Sequence, residues 1–130
     1  MLVIIDSSML MVPLEKKINI FLELERILSF SFEIVIPKIV IKELERIRCE
    51  EARAKQKKAK LALDLASNYR ILDSNLEGIA DDEIERLAIE HDAIVATNDT
   101  KLRSKLREKG ISVIALHGKN RLALFGYVDE

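Results

Sequence analysis

The sequence predicts an α/β protein, a three-layer α/β/α sandwich built on a parallel five-stranded sheet. Two observations carry this. Five short apolar runs are continuous rather than alternating, as in strands buried on both faces. Helical patterns lie between those runs, so successive strands are joined by crossovers, which are right-handed.

The first strand is Leu2–Ile5, ended by Asp6. Ile18–Leu28 follows with apolar residues at helical spacing, and Glu33–Ile36 is the second strand. Pro37 then suits the first turn of a helix over Lys38–Arg48. Ala52–Ala66 is rich in Ala, Leu and Lys, all strong helix formers. Arg70–Leu72 is the third strand, and a helix over Asp81–His91 leads to the fourth, Ala93–Ala96. A helix over Thr100–Lys109 is stopped by Gly110, and Ser112–Leu116 is the fifth strand. The tail from Lys119 to Tyr127 is expected to add a short edge strand.

No repeat, low-complexity tract or Gly/Ser/Pro-rich linker divides the 130 residues, so a single domain over 1–130 is expected. No apolar run approaches the roughly 20 residues of a membrane span. Asp6 interrupts the opening apolar stretch and no basic stretch precedes it, so neither a secretory signal nor a membrane partner is expected. One cysteine, Cys49, excludes an internal disulfide and a multi-thiolate zinc site, and the cytoplasm is the expected compartment. The net charge of −1 conceals a polarised distribution. Residues 52–60 carry Arg53, Lys55, Lys57, Lys58 and Lys60 with no acid, and residues 101–109 carry five cations against Glu108 alone.

Function in open parallel sheets gathers at the carboxyl ends of the strands. Asp6 follows the first strand, Asp99 lies three residues past the fourth, and Asp81 opens the helix after the third. Glu43 lies inside a helix, where its neighbours three and four away are Ile39, Val40, Arg46 and Ile47. It therefore sits on the shoulder of a buried stripe, whereas Glu45 faces away. Asp81 shares a stripe with Ile84 and Ala88, while Asp82 shares one with Glu85 and Arg86, so Asp81 is the inward member.

Each acid taken singly has a plainer reading. Asp6 and Asp99 also fit helix caps or turn residues, Asp81 fits the positive end of a helix dipole, and Glu43 fits an ion pair with Arg46 or a basic residue of another helix. Their convergence argues for more. Two unit charges about 4 Å apart repel by roughly 4 kcal/mol at an effective dielectric near 20, and a divalent cation removes that penalty. Hard oxygen donors without Cys or His point to Mg²⁺ or Mn²⁺, able to activate water at a phosphoryl group.

These residues resemble the four acidic motifs of the PIN-domain family. Ile4-Ile5-Asp6-Ser7-Ser8 resembles its opening, and Val35-Ile36-Pro37 leading to Lys42-Glu43-Leu44 resembles its second motif. Ala80-Asp81-Asp82-Glu83-Ile84 resembles the third, and Val95-Ala96-Thr97-Asn98-Asp99 the fourth. The resemblance implies strand order 3-2-1-4-5 and hydrolysis of RNA phosphodiester bonds to a 5′-phosphate and a 3′-hydroxyl. It implies Mg²⁺ or Mn²⁺ held by Asp6, Glu43, Asp81 and Asp99, with Ser8 and Thr97 in support; Asp82, beside Asp81, is from its position an alternate or supporting ligand. Small archaeal ribosomal-RNA-processing nucleases and VapC-type toxin nucleases are both similar. A homodimer, and an antitoxin or ribosome-assembly partner, are thus further expectations. RNA itself would be met by Arg53, Lys57, Lys101 and Arg103.

A catalytically inactive module that binds RNA or a protein partner is the alternative, and retention of all four acids favours the enzyme. A phosphotransfer reading of Asp6 fails on its motif, because Ser8 stands where a second Asp would be required. His91, His117, Asp73 and Asp92 read as surface or turn residues, and Cys49 as inert. With no Trp, two Tyr and four Phe, no extensive base-stacking platform is indicated.

Overall fold

Val3, Ile4 and Ile5 are wholly buried although consecutive strand residues point to opposite faces, so both faces of the central strand are covered. The computed structural model of the chain describes residues 1–127. Its elements are β1 (Leu2–Ile5), α1 (Ser7–Glu15), α2 (Ile20–Ile27), β2 (Glu33–Pro37), α3 (Lys38–Glu50), α4 (Arg53–Ala66) and β3 (Arg70–Leu72), and then α5 (Ala80–His91), β4 (Ile94–Ala96), α6 (Thr100–Glu108), β5 (Val113–His117) and β6 (Arg121–Phe125). The sheet order is β3-β2-β1-β4-β5-β6. Its first five strands are parallel, in the order 3-2-1-4-5 expected, with Ile4 paired to Val35 on one side and Val95 on the other.

Two features differ from the sequence reading. The sheet has six strands rather than five, because Arg121–Phe125 pairs antiparallel with β5 along its full length, Val113 against Phe125 and His117 against Arg121. The expected edge strand in the tail is thus present and belongs to the main sheet. The second difference is α1, unforeseen because Ser7, Ser8 and Pro13 are poor helix formers. Asp6 caps it and its Met9, Leu10 and Val12 are buried, so core burial outweighs propensity.

The outer edge of β6 is capped at Leu122 from within the chain. Glu23 of α2 accepts the Leu122 N–H at 2.9 Å and Arg26 donates to the Leu122 carbonyl at 2.8 Å. A side-chain pair thereby takes the place of a neighbouring strand. No helix among the described residues is long and apolar enough to cross a membrane.

Candidate active site

Parallel strands bring the ends of β1, β2 and β4 to one rim, and the acids arrive there by different local routes. Asp6 leaves β1 and caps α1, its Oδ1 accepting the Met9 N–H at 2.9 Å. Asp99 leaves β4 and caps α6, its Oδ1 accepting from the N–H groups of Lys101 and Leu102 at 2.9 and 3.2 Å. The capping reading of both residues is therefore correct as far as it goes. Each cap uses one carboxylate oxygen, and the same residues remain charged groups at the rim.

Asp6 is 5% exposed and is held from several sides. Ser8 donates to it at 2.8 Å and in turn accepts the Asn98 N–H at 2.9 Å. The buried Thr97 hydroxyl donates to Asp6 Oδ2 and accepts the Asp99 N–H at 3.0 Å. Ser8 and Thr97 thus stitch the β1 and β4 ends together around one carboxylate. Burial pushes Asp6 up to about 6; the bonds from Thr97, Met9 and Ser8 oppose that rise, and the Asp99 charge adds to it.

Asp81 is half-buried in the first turn of α5, and Asp82 beside it is exposed. Burial raises the Asp81 pKa, the Asp99 charge raises it further, and Lys105 pulls it back. Asp99 therefore acts on both Asp6 and Asp81. Lys105 of α6 is ion-paired with Asp82 and lies 3.8 Å from Glu85. Glu43 is half-buried and accepts the Ser7 hydroxyl at 3.1 Å, which links it to the residue following Asp6. Its expected alternative partner, Arg46, pairs with Glu50 instead. Beside Glu43 an open groove of about 450 Å³ is lined by Ile39, Lys42, Leu76, Gly78 and Ala80.

The donor chemistry fits Mg²⁺ or Mn²⁺, since every candidate is a carboxylate and no imidazole or thiol competes. Among the described residues, no three acidic, histidine or cysteine side chains are arranged to hold one ion together. The acids act in pairs as they stand, Asp6 with Asp99 and Asp99 with Asp81.

The basic candidates divide into two groups. Lys101 and Arg103 lie in the first turn of the helix that Asp99 caps. Arg53 and Lys57 are exposed on α4, and among the described residues no hydrogen bond or ion pair ties them to the acidic rim. Sequence reasoning missed three residues: Ser7, which bonds Glu43; Lys105, which faces the Asp81-Asp82 pair; and Phe125, which lies under Arg103. Lys105 was legible in principle, being one helical turn beyond Lys101 on the same face.

A six-stranded sheet with acids gathered on its carboxyl rim defines a class, and comparison with known proteins agrees with it. Residues 3–119 match the family described as PIN like domain, and the chain belongs to that family. Among its relatives, Ribonuclease VapC4 of Methanocaldococcus jannaschii is 38% identical over 126 residues, 95% of each chain. The solved structure of the PIN domain endonuclease Utp24 superposes with a TM-score of 0.80 at 27% identity, covering 98% of this chain and 93% of that one. A domain of a functionally unknown protein from M. jannaschii superposes with a TM-score of 0.66 at 18% identity over 98% of this chain and 99% of that one, a likeness of fold alone.

Proposed function

We propose that this protein is a metal-dependent endoribonuclease that hydrolyses RNA phosphodiester bonds at the rim formed by Asp6, Glu43, Asp81 and Asp99. The observation that carries the reading is the buried Asp6 carboxylate at the end of the central strand, with the charge of Asp99 beside it. Two acids held this close at a strand end suit a cation, which would relieve their repulsion.

Asp99, paired with Asp6 on one side and Asp81 on the other, would lead in holding the ion, with Glu43 alongside. A Mg²⁺ or Mn²⁺ bound there would polarise the phosphate and lower the pKa of a bound water. The protein's own part is positional and protolytic. Ser8 and Thr97 pin both oxygens of Asp6, so the carboxylate keeps its orientation without reorganising. An attacking water would be positioned by the ion and a neighbouring carboxylate, which would receive its proton. The groove beside Glu43 offers a path for the strand leading to the scissile bond.

The match to Ribonuclease VapC4 over 95% of each chain, with the likeness to the PIN domain endonuclease Utp24, supports RNA as the substrate, in a toxin-type or an RNA-processing setting. Cleavage of single-stranded RNA in Mg²⁺ or Mn²⁺, mapped against Asp6→Asn and Asp99→Asn proteins, tests the chemistry. Variants cleaving as fast as the parent would overturn the site. Parent protein that binds RNA yet never cuts it would return the reading to an inactive RNA-binding module.

A further inference from the structure

We propose that Arg103 and Phe125 form a preset phosphate clamp for single-stranded RNA, in which Phe125 holds the guanidinium flat and its N–H fork takes a backbone phosphate one helical turn from Asp99. The inference rests on the ribonuclease reading above and adds the positioning residue and the part of the substrate it serves.

Three observations place the clamp. The Arg103 N–H donates to the Asp99 carbonyl at 2.9 Å, so the two residues share a turn of α6. The Arg103 guanidinium carbon lies 4.8 Å from the centroid of the Phe125 ring, within cation–π range. The Phe125 ring in turn meets His117 edge-on, with centroids 6.4 Å apart and planes at 68°. Strand register brings His117 to the acidic rim, and Phe125, paired with Val113 further back along β5, reaches it through its ring. Ala96 pairs with Ile114, so Asp99 and His117 each lie three residues beyond the same rung of the ladder.

The state of the guanidinium points to an external anion. Its neighbours on α6 are already engaged, Lys105 with Asp82 and Arg107 with the Ile111 carbonyl at 3.0 Å. Among the described residues, the Arg103 guanidinium makes no hydrogen bond or ion pair, and its carbon rests over the Phe125 ring. An arginine oriented in advance, with its donors unspent, is suited to bidentate contact with phosphate. Its surroundings carry the matching charge: from Thr100 to Tyr127 the chain has seven Lys and Arg against the single acid Glu108. Lys101, Lys119 and Arg121 are exposed on the same stretch, extending a basic path past the rim.

The test measures the dissociation constant of a short labelled single-stranded RNA in EDTA, across a salt series, so that cleavage and metal play no part. Arg103→Ala is expected to weaken binding about tenfold, as for a charged hydrogen-bonding group, and to lower the salt slope by about 0.7, one phosphate's share on a single strand. Arg103→Lys keeps the charge and hence the slope, yet loses severalfold in affinity with the fork. Phe125→Leu is expected to lose severalfold with the slope unchanged, and Phe125→Tyr to restore the parent value. Thermal melts identify any variant that fails to fold, and Arg103→Lys still decides the matter should Phe125→Leu do so. If parent and Arg103→Ala bind RNA with the same affinity and slope, the clamp is wrong while the nuclease reading stands. If the parent binds no RNA and cleaves none, the nuclease reading falls and the clamp with it. If Arg103→Ala instead loses binding to polyglutamate but not to RNA, the ligand is an acidic protein segment and the RNA clamp is overturned.

Discussion

The Ser7 hydroxyl donates to Glu43 at 3.1 Å, tying the middle of α3 to the first residue of α1 and so to the end of the central strand. Glu43→Gln preserves size and an acceptor for Ser7 while removing the charge. Its stability is expected to stay within about 0.5 kcal/mol of the parent, with metal-dependent RNA cleavage falling at least about tenfold. Paired thermal melts and cleavage assays check this. A large loss of stability would mean that the Glu43 charge serves the fold.

Asp6 makes stability depend on pH in a direction opposite to most carboxylates. Its folded value, raised from 3.8 to about 6, exceeds the unfolded one, so the native state binds the proton more tightly. In metal-free protein, stability should therefore fall as pH rises from about 4 to 6 and stay low above that. The total is roughly 3 kcal/mol at about 1.4 kcal/mol per unit. Asp81, also raised, acts in the same sense. Asp6→Asn should lose most of the slope and melt higher at neutral pH without metal. Denaturant titrations at pH 4.5 and 7 decide it; parallel pH profiles of parent and variant would refute the assignment.

Lys105 offers its ammonium to Asp82 and lowers the Asp81 pKa, as a bound cation would. Lys105→Met is expected to bind Mn²⁺ severalfold more tightly in calorimetry, since a competing charge near the ligands is gone. An unchanged or weaker affinity in a folded variant would show that Lys105 does not compete with the ion.

The Glu23–Arg26 pair occupies both polar groups of Leu122 on the open edge of the sheet. A Glu23→Ala, Arg26→Ala double variant should self-associate with rising concentration in sedimentation analysis, because the freed edge can pair with another chain. The bonds from Arg26 and Leu122 lower the Glu23 pKa to about 2, so its contribution is complete above about 4.5 and fades only as pH falls towards 2. A double variant that stays monomeric at high concentration would dismiss the protective role.

Much of this architecture was legible in the chain alone. Continuous apolar runs separated by helical ones specify a parallel sheet, since only strands covered on both faces can be apolar throughout. The placement of Asp6, Asp81 and Asp99 beside strand ends followed, because parallel strands deliver their ends to a common rim, and helical spacing put Glu43 on the shoulder of a buried stripe and Asp81 on the inner side of its pair, where both are half-buried. Tertiary structure decided what local pattern cannot carry. The α1 helix forms against its own Pro13 because Met9, Leu10 and Val12 have a core to enter. The bonds joining Ser7 to Glu43, Lys105 to Asp82 and Arg103 to Phe125 span 36, 23 and 22 positions of the chain. Sequence periodicity reports which way a side chain faces, whereas the identity of the group opposite depends on how distant elements pack.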